Sequence, residues 1–232
     1  MASDVDICNL ALATLGDDAA VTSISPADGS SQSSHCSRFY PIARDALLEM
    51  HTWGFSTTRA ALTPLVANPS TDPYNTALST WLFAYAAPSD VVNYLEVLDP
   101  GATDDLSVGV SMQSTIGGQF NTALGVYVPQ PFTVETDANG NDIVYTNQEN
   151  AMLRYTRLVS DTSKFSPLFT EALVMLLSAH LAGPIIKGSE GRNASADIMS
   201  KFFTWWKEKA VESDANQRRI HLTQGAPWMV GR

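Results

Sequence analysis

A single apolar stretch, Phe165 to Gly188 (FSPLFTEALVMLLSAHLAGPIIKG), constrains this chain more than any other part of it. Leu168, Phe169, Ala172, Leu173, Leu176, Leu177 and Leu181 recur at steps of three and four, the period of a buried helical face. Val174, Met175 and Ala182 make the other face apolar too, so the helix must be surrounded on most sides. Ser166 or Phe165 is placed to cap it, Pro167 suits the first turn, and Glu171 lies near the positive end of the dipole. Gly183-Pro184 is expected to break the helix and Lys187-Gly188 to end the segment. The run nears the length of a membrane span, but Glu171, His180 and Pro184 interrupt it and no basic flank precedes it. It reads as the central helix of a helical core, with no membrane partner.

Other helices must cover that core. Ser3 to Leu15 reads as a helix opened by a Ser3/Asp6 capping box and stopped by Gly16. A second begins in the polar run Ser30–Ser34 and buries Cys36, Phe39, Tyr40, Ala43, Ala46, Leu47 and Met50, with a kink expected at Pro41. A last helix is expected from about Asn193 to Glu212, carrying Phe202, Phe203, Trp205 and Trp206. Only one residue of the Trp205-Trp206 pair can face a core; the other stays half exposed or meets a partner.

Between the helices the pattern turns to β. Phe55–Leu62 is β-leaning and closed by Pro64, and Asn68, Pro69, Asp72 and Pro73 mark a loop. Ser79–Ala86 alternates like a strand, Val91–Leu98 reads as a strand or a short helix plus strand, and Ala151–Val159 as a further strand. The clearest local signal is Phe132–Thr136 and Asp142–Thr146 flanking Asp137-Ala-Asn-Gly-Asn141, a hairpin with an Asn-Gly turn. Asp99 to Gly125 has few signals and reads as a flexible insertion or long loop. The expected fold is therefore α+β: a helical bundle formed from the N- and C-terminal helices (1–52 and 160–214), with an inserted antiparallel β domain (53–159). An extended C-terminal tail (215–232) follows.

Charge is unevenly spread. Residues 1–150 hold 3 basic side chains against 17 acidic ones, whereas residues 151–232 hold 11 basic against 7 acidic. The first part therefore lacks the clustered Lys and Arg that grip phosphate. Only 16% of residues are charged, which suggests surface covered by further copies of the chain. MASDVDICNL has neither the basic start nor the apolar core of a signal peptide. Cys8 and Cys36 are too few for a disulfide framework and read as reduced core thiols of an intracellular product.

Catalytic and cofactor motifs are scarce. The sequence lacks a GxSxG elbow, a Walker loop and CxxC or HExxH spacings, so no enzyme activity and no cofactor are expected. Asp137, Asn139 and Asn141 imitate a calcium loop, but its twelfth position is Gln148, and a hairpin turn explains the same residues. His180 on the buried helix reads as a hydrogen-bonded core residue. Gly188-Ser-Glu-Gly191 could cradle an anion, though a loop between helices is the ordinary reading. Asp17-Asp18 and Asp104-Asp105 could pair as acid and base, but both sit in turn-like, solvated segments.

An ordered set of short motifs resembles one family over almost the whole chain. These are Asp6-Ile-Cys-Asn-Leu-Ala-Leu12 with Leu15-Gly-Asp17, then Cys36-x-x-Phe-Tyr-Pro-x-Ala-Arg-Asp-Ala-Leu-Leu-Glu49 with Trp53-x-Phe55. Tyr85-Ala-x-Pro-Ser-Asp90, Thr146-Asn-Gln148 and Leu153-Arg-Tyr-Thr156 follow. Phe165-Ser-Pro-Leu-Phe169, Leu181-Ala-Gly-Pro-Ile-Ile-Lys-Gly188 and Ser213-Asp-Ala-Asn-Gln217 complete it. Together they resemble the tail tubular protein A family, the head-to-tail adaptors of short-tailed double-stranded DNA phages. The stretch Asp99 to Gly125 matches no part of that pattern.

The resemblance implies a structural virion protein at the head–tail junction, assembled in the host cytoplasm. It implies a homo-oligomeric ring, commonly a dodecamer, joining the portal protein to the tail nozzle, with DNA passing through without sequence-specific binding. In related adaptors the C-terminal tail reaches into the portal. Here Arg218, Arg219, Trp228, Met229 and Arg232 are the candidate portal-binding residues, the arginines pairing acidic groups and Trp228 anchoring. The acidic first part would line or rim the channel so that DNA slides through it. The competing readings are a tail-associated hydrolase, which needs a cleft with paired carboxylates, and another minor virion protein, such as a head-completion or tail-tube subunit.

Overall fold

The computed structural model describes residues 2–18, 20–65, 81–100 and 129–217. The protein is α+β, and it divides into two compact units. One takes the described residues up to Thr57 and from Thr156 onward; the other is Thr58–Tyr155. The division falls a few residues inside the expected 53–159.

In the first unit, α1 (Asp4–Thr14) opens on the expected reciprocal cap between Ser3 and Asp6. It ends before Gly16, whose φ of +78° favours glycine. α2 (Ser31–Glu49) is capped by Ser30 and runs through Pro41 as one helix. Pro41 and Ser37 are both exposed, so the carbonyl left without its N–H partner meets water. The buried face of α2 is Ser33, Cys36, Tyr40, Ala43, Leu47 and Leu48, whereas Met50 is exposed and Phe39 and Ala46 are half-buried. The final turn is thus rotated from the expected register, because Leu48 rather than Met50 finds the core.

α3 (Pro167–Ile186) is the central helix. Ser166 caps it by accepting the Phe169 N–H, with Pro167 in the first turn. Ten of its residues, Phe169 through Ala182, are buried, and α1, α2, α4 (Gly188–Lys201) and α5 (Lys207–Gln217) all pack on it. It has the length and hydropathy of a membrane span, but its apolar faces are taken by these neighbours. The expected break at Gly183-Pro184 does not occur; the helix continues to Ile186. Pro184 falls in the last turn, where it costs a single hydrogen bond. Lys187, at φ +64°, makes the whole connection to α4, so Gly188-Ser-Glu-Gly191 is helix rather than an anion-cradling loop.

α3 and α4 meet backbone to backbone. A Cβ at Gly191 would stand 2.9 Å from the Ala182 carbonyl oxygen and 3.2 Å from that of Gly183, whereas one at Gly183 would meet nothing within 4 Å. Gly191→Leu should therefore cost about 2–3 kcal/mol by forcing the helices apart. Gly183→Ala should change stability by less than about 1 kcal/mol. Urea unfolding followed by helical circular dichroism separates the two.

The second unit holds two sheets, ordered β1-β7-β4 and β2-β3-β6-β5. The first comprises β1 (Thr57–Ala61), β4 (Val91–Leu98) and β7 (Met152–Arg157); the second comprises β2 (Thr63–Pro64), β3 (Phe83–Ala86), β5 (Phe132–Thr136) and β6 (Asp142–Thr146). Leu62 lies between β1 and β2 and passes the chain from one sheet to the other. Leu62, Tyr85, Val97, Val144, Ala151, Leu153 and Tyr155 form the core. The hairpin lies where expected, Phe132 opposite Thr146 and Thr136 opposite Asp142. Asp137 Oδ1 accepts the Asn139 and Asn141 N–H groups at 2.8 Å each, and Gly140 takes φ +84°. Asp137 thus closes the hairpin turn as its acceptor. The loop at 68–73, the start of the strand expected from Ser79, and nearly all of Asp99–Gly125 lie outside the described residues.

Candidate functional site

The last helical run supplies the surface that best fits recognition. α4, a π-helical turn (Phe202–Trp206) and α5 follow one another without interruption from Gly188 to Gln217. In the π turn the Lys207 N–H donates to the Phe202 carbonyl, five residues back. Residues four apart then fall on one side: Phe202, Ala210 and Asp214 are buried and Trp206 is half-buried. Phe203 and Trp205 are thrown outward, 44% and 56% exposed. Lys207 lies over the Phe203 ring at 5.7 Å and Lys209 over the Trp205 ring at 5.4 Å. Glu212 holds Lys209 at 2.8 Å. Two open aromatic rings with ammonium groups over them have the composition of interface hot spots. The sequence indicated that one tryptophan of the pair faces outward; the π turn decides that it is Trp205.

The end of α5 is tied down firmly. Asp214 is 5% exposed. Its Oδ1 accepts the Gly54 N–H at 2.8 Å, and its Oδ2 lies 3.2 Å from His51 Nε2. His51 packs edge-on to Trp53 at 4.8 Å. The helix is therefore anchored to the segment after α2 up to Asp214, and it continues to Gln217, three residues into the stretch expected to be extended. Arg218, Arg219, Trp228, Met229 and Arg232 lie outside the described residues. The structure thus describes the base from which that tail departs.

A shallow groove of about 370 Å³ lies between α3 and α4, lined by Ala179, His180, Gly183, Arg192, Ser195, Ala196 and Met199. None of these is a carboxylate. Ser195 is engaged, its hydroxyl donating to the Ala179 carbonyl at 2.7 Å. His180 stacks on Phe39 with centroids 6.0 Å apart rather than hydrogen-bonding in the core. Burial holds its pKa below the ordinary value of 6.5. The unfolded chain then binds this proton at higher pH than the folded one does, so stability falls as pH drops below about 6.5. His180→Phe should flatten the decline in Tm between about pH 7 and pH 5; an unchanged slope assigns the decline to other groups.

Cys8 and Cys36 are both free and buried. α1 and α2 bring the two thiols into hydrogen-bond contact, and that bond together with burial pushes the Cys8 pKa up. Among the described residues no cluster of three or more His, Cys, Asp or Glu could hold a metal ion. No family model matches the chain, and no curated protein matches it either.

Proposed function

We propose that this chain is a structural virion protein, a head-to-tail adaptor that forms a ring between the portal and the tail nozzle of a short-tailed phage. In this reading α1, α2, α3 and the terminal helical run form a helical bundle, and the β unit is inserted into it. The ring is a homo-oligomer, commonly a dodecamer in the resembled family, and the acidic first part of the chain faces or rims the DNA path. The protein acts in the virion without a cofactor, a membrane or catalysis.

The observation that carries the reading is a pair of exposed rings on the terminal run, Phe203 with Lys207 over it and Trp205 with Lys209 over it. The pair lies on a helical run that is anchored through Asp214 and leads directly into a basic tail with Trp228. Exposed rings next to a basic segment suit a subunit that seats in a larger assembly. The groove beside His180 offers no pair of carboxylates for glycoside hydrolysis.

Light scattering tests this reading. Mixed with portal, the protein should sediment and scatter as one complex containing many copies. A chain that stays monomeric beside the portal and turns over cell-wall or capsule polymer would overturn it.

A further inference from the structure

The chain has two cysteines in 232 residues, and the fold brings them together from different helices. Cys8 sits on the buried face of α1 with Ile7, Ala11 and Leu12, and Cys36 on the buried face of α2 with Ser33, Tyr40 and Ala43. Both are fully buried, and the two thiols share a hydrogen bond. The connection between the helices is tied down beside each sulfur. Asn9, next to Cys8, accepts the Val21 N–H at 2.8 Å and donates to the Val21 carbonyl at 3.0 Å. Ser33, one turn before Cys36, donates to the Ser23 carbonyl and accepts the Asp28 N–H at 3.1 Å. α1 itself packs chiefly on α3 and only slightly on α2, so the thiol pair is a main point at which these two helices meet.

We propose that Cys8 and Cys36 are a redox modification site, at which hydrogen peroxide converts the two thiols to a disulfide that staples α1 to α2. Burial selects the oxidant: a small neutral peroxide reaches the pair through a local opening that excludes a bulky disulfide. The two sulfurs are unequal. The hydrogen bond with Cys8 holds the Cys36 thiol below its ordinary value, whereas that bond and burial push the Cys8 thiol up. Cys36 is therefore the attacking sulfur. Its thiolate attacks one peroxide oxygen, the O–O bond breaks, and the hydroxide that leaves takes up a proton to become water, which leaves a sulfenic acid on Cys36. The Cys8 sulfur then attacks Cys36 Sγ, and its proton departs with the sulfenic oxygen as a second water. Two thiols and one peroxide thus give one disulfide and two waters. The bond fixes a helix contact that is slight in the reduced protein and closes a loop of about 30 residues. It depends on these two helices alone and is independent of the adaptor reading.

Thiol counting in the full-length protein tests the site. The folded protein is treated with hydrogen peroxide, quenched with catalase, and then denatured for titration. Free thiols should fall from two to none. A non-reducing peptide map should join Cys8 to Cys36 within one chain, and dithiothreitol should restore both thiols. The oxidised protein should melt about 5–10 °C above the reduced one. Cys8→Ser, treated alike, cannot form the staple and measures what methionine oxidation does to the melting temperature. Two thiols still free after treatment overturn the proposal, as does linkage between chains rather than within one. A linked protein that melts no higher than the reduced form, once the Cys8→Ser change is subtracted, overturns the staple as well.

Discussion

A chain ending at Gln217 is expected to fold as the full-length protein does and to lose portal binding by at least about a hundredfold, the loss that follows from removing two interface hot spots. Folding should survive because, among the described residues, the last anchored side chain is Asp214, bonded to Gly54 and His51. The residues removed include Arg218, Arg219, Trp228, Met229 and Arg232, a segment with no acidic side chain. Such a segment would pair with acidic groups on the portal and bury an indole as it does so. Surface plasmon resonance against immobilised portal, with circular dichroism as the folding control, checks both halves. Binding retained by the truncated chain removes the tail from the interface and leaves the Trp205 face as the contact to examine.

The largest loss of stability should come from Trp53→Ala. Trp53 is fully buried, and its Nε1 donates to the Leu47 carbonyl at 2.8 Å, one of the carbonyls that the last turn of α2 leaves without a partner. Its ring meets Phe169 of α3 edge-on at 4.9 Å, and Phe165, Phe169 and Phe55 complete the cluster. Deleting a buried indole costs about 3–5 kcal/mol. That is a large share of the roughly 5–15 kcal/mol that holds a domain folded. Trp53→Phe keeps most of the ring and loses the hydrogen bond, for about 1–3 kcal/mol. If urea unfolding finds the alanine variant no worse than the phenylalanine one, the cluster is not the keystone between α2 and α3.

What the sequence made legible was local. Ser3/Asp6, Ser166-Pro167 and Asn139-Gly140 act within a few residues, so their caps and turn could be read directly. Features set by distant partners could not. Leu48 replaces Met50 on the buried face of α2 because of what packs there. Pro184 is tolerated because it falls in a last turn, and Gly191 is required because α4 crosses α3 at backbone distance. The contacts of Asp214 with Gly54 and His51 span about 160 residues and have no periodic signature. The interaction surface was half legible: adjacent tryptophans signal that one points outward, but the π turn selects which.

Many residues that carry the family resemblance prove to be busy inside the fold. The Tyr85 hydroxyl donates to the Gln148 carbonyl, Asp90 accepts from Tyr155, and Asn147 accepts the Leu82 N–H. The Thr146 hydroxyl donates to the Pro131 carbonyl, and Asp17 accepts from Gln32. These motif residues help to tie the chain together.

Negative-stain imaging of the full-length protein mixed with purified portal tests the central claim most directly. The adaptor account predicts a closed collar of copies, coaxial with the portal and built by one repeated contact. Single subunits scattered apart from unoccupied portals, at concentrations where the mixture should be saturated, would contradict it.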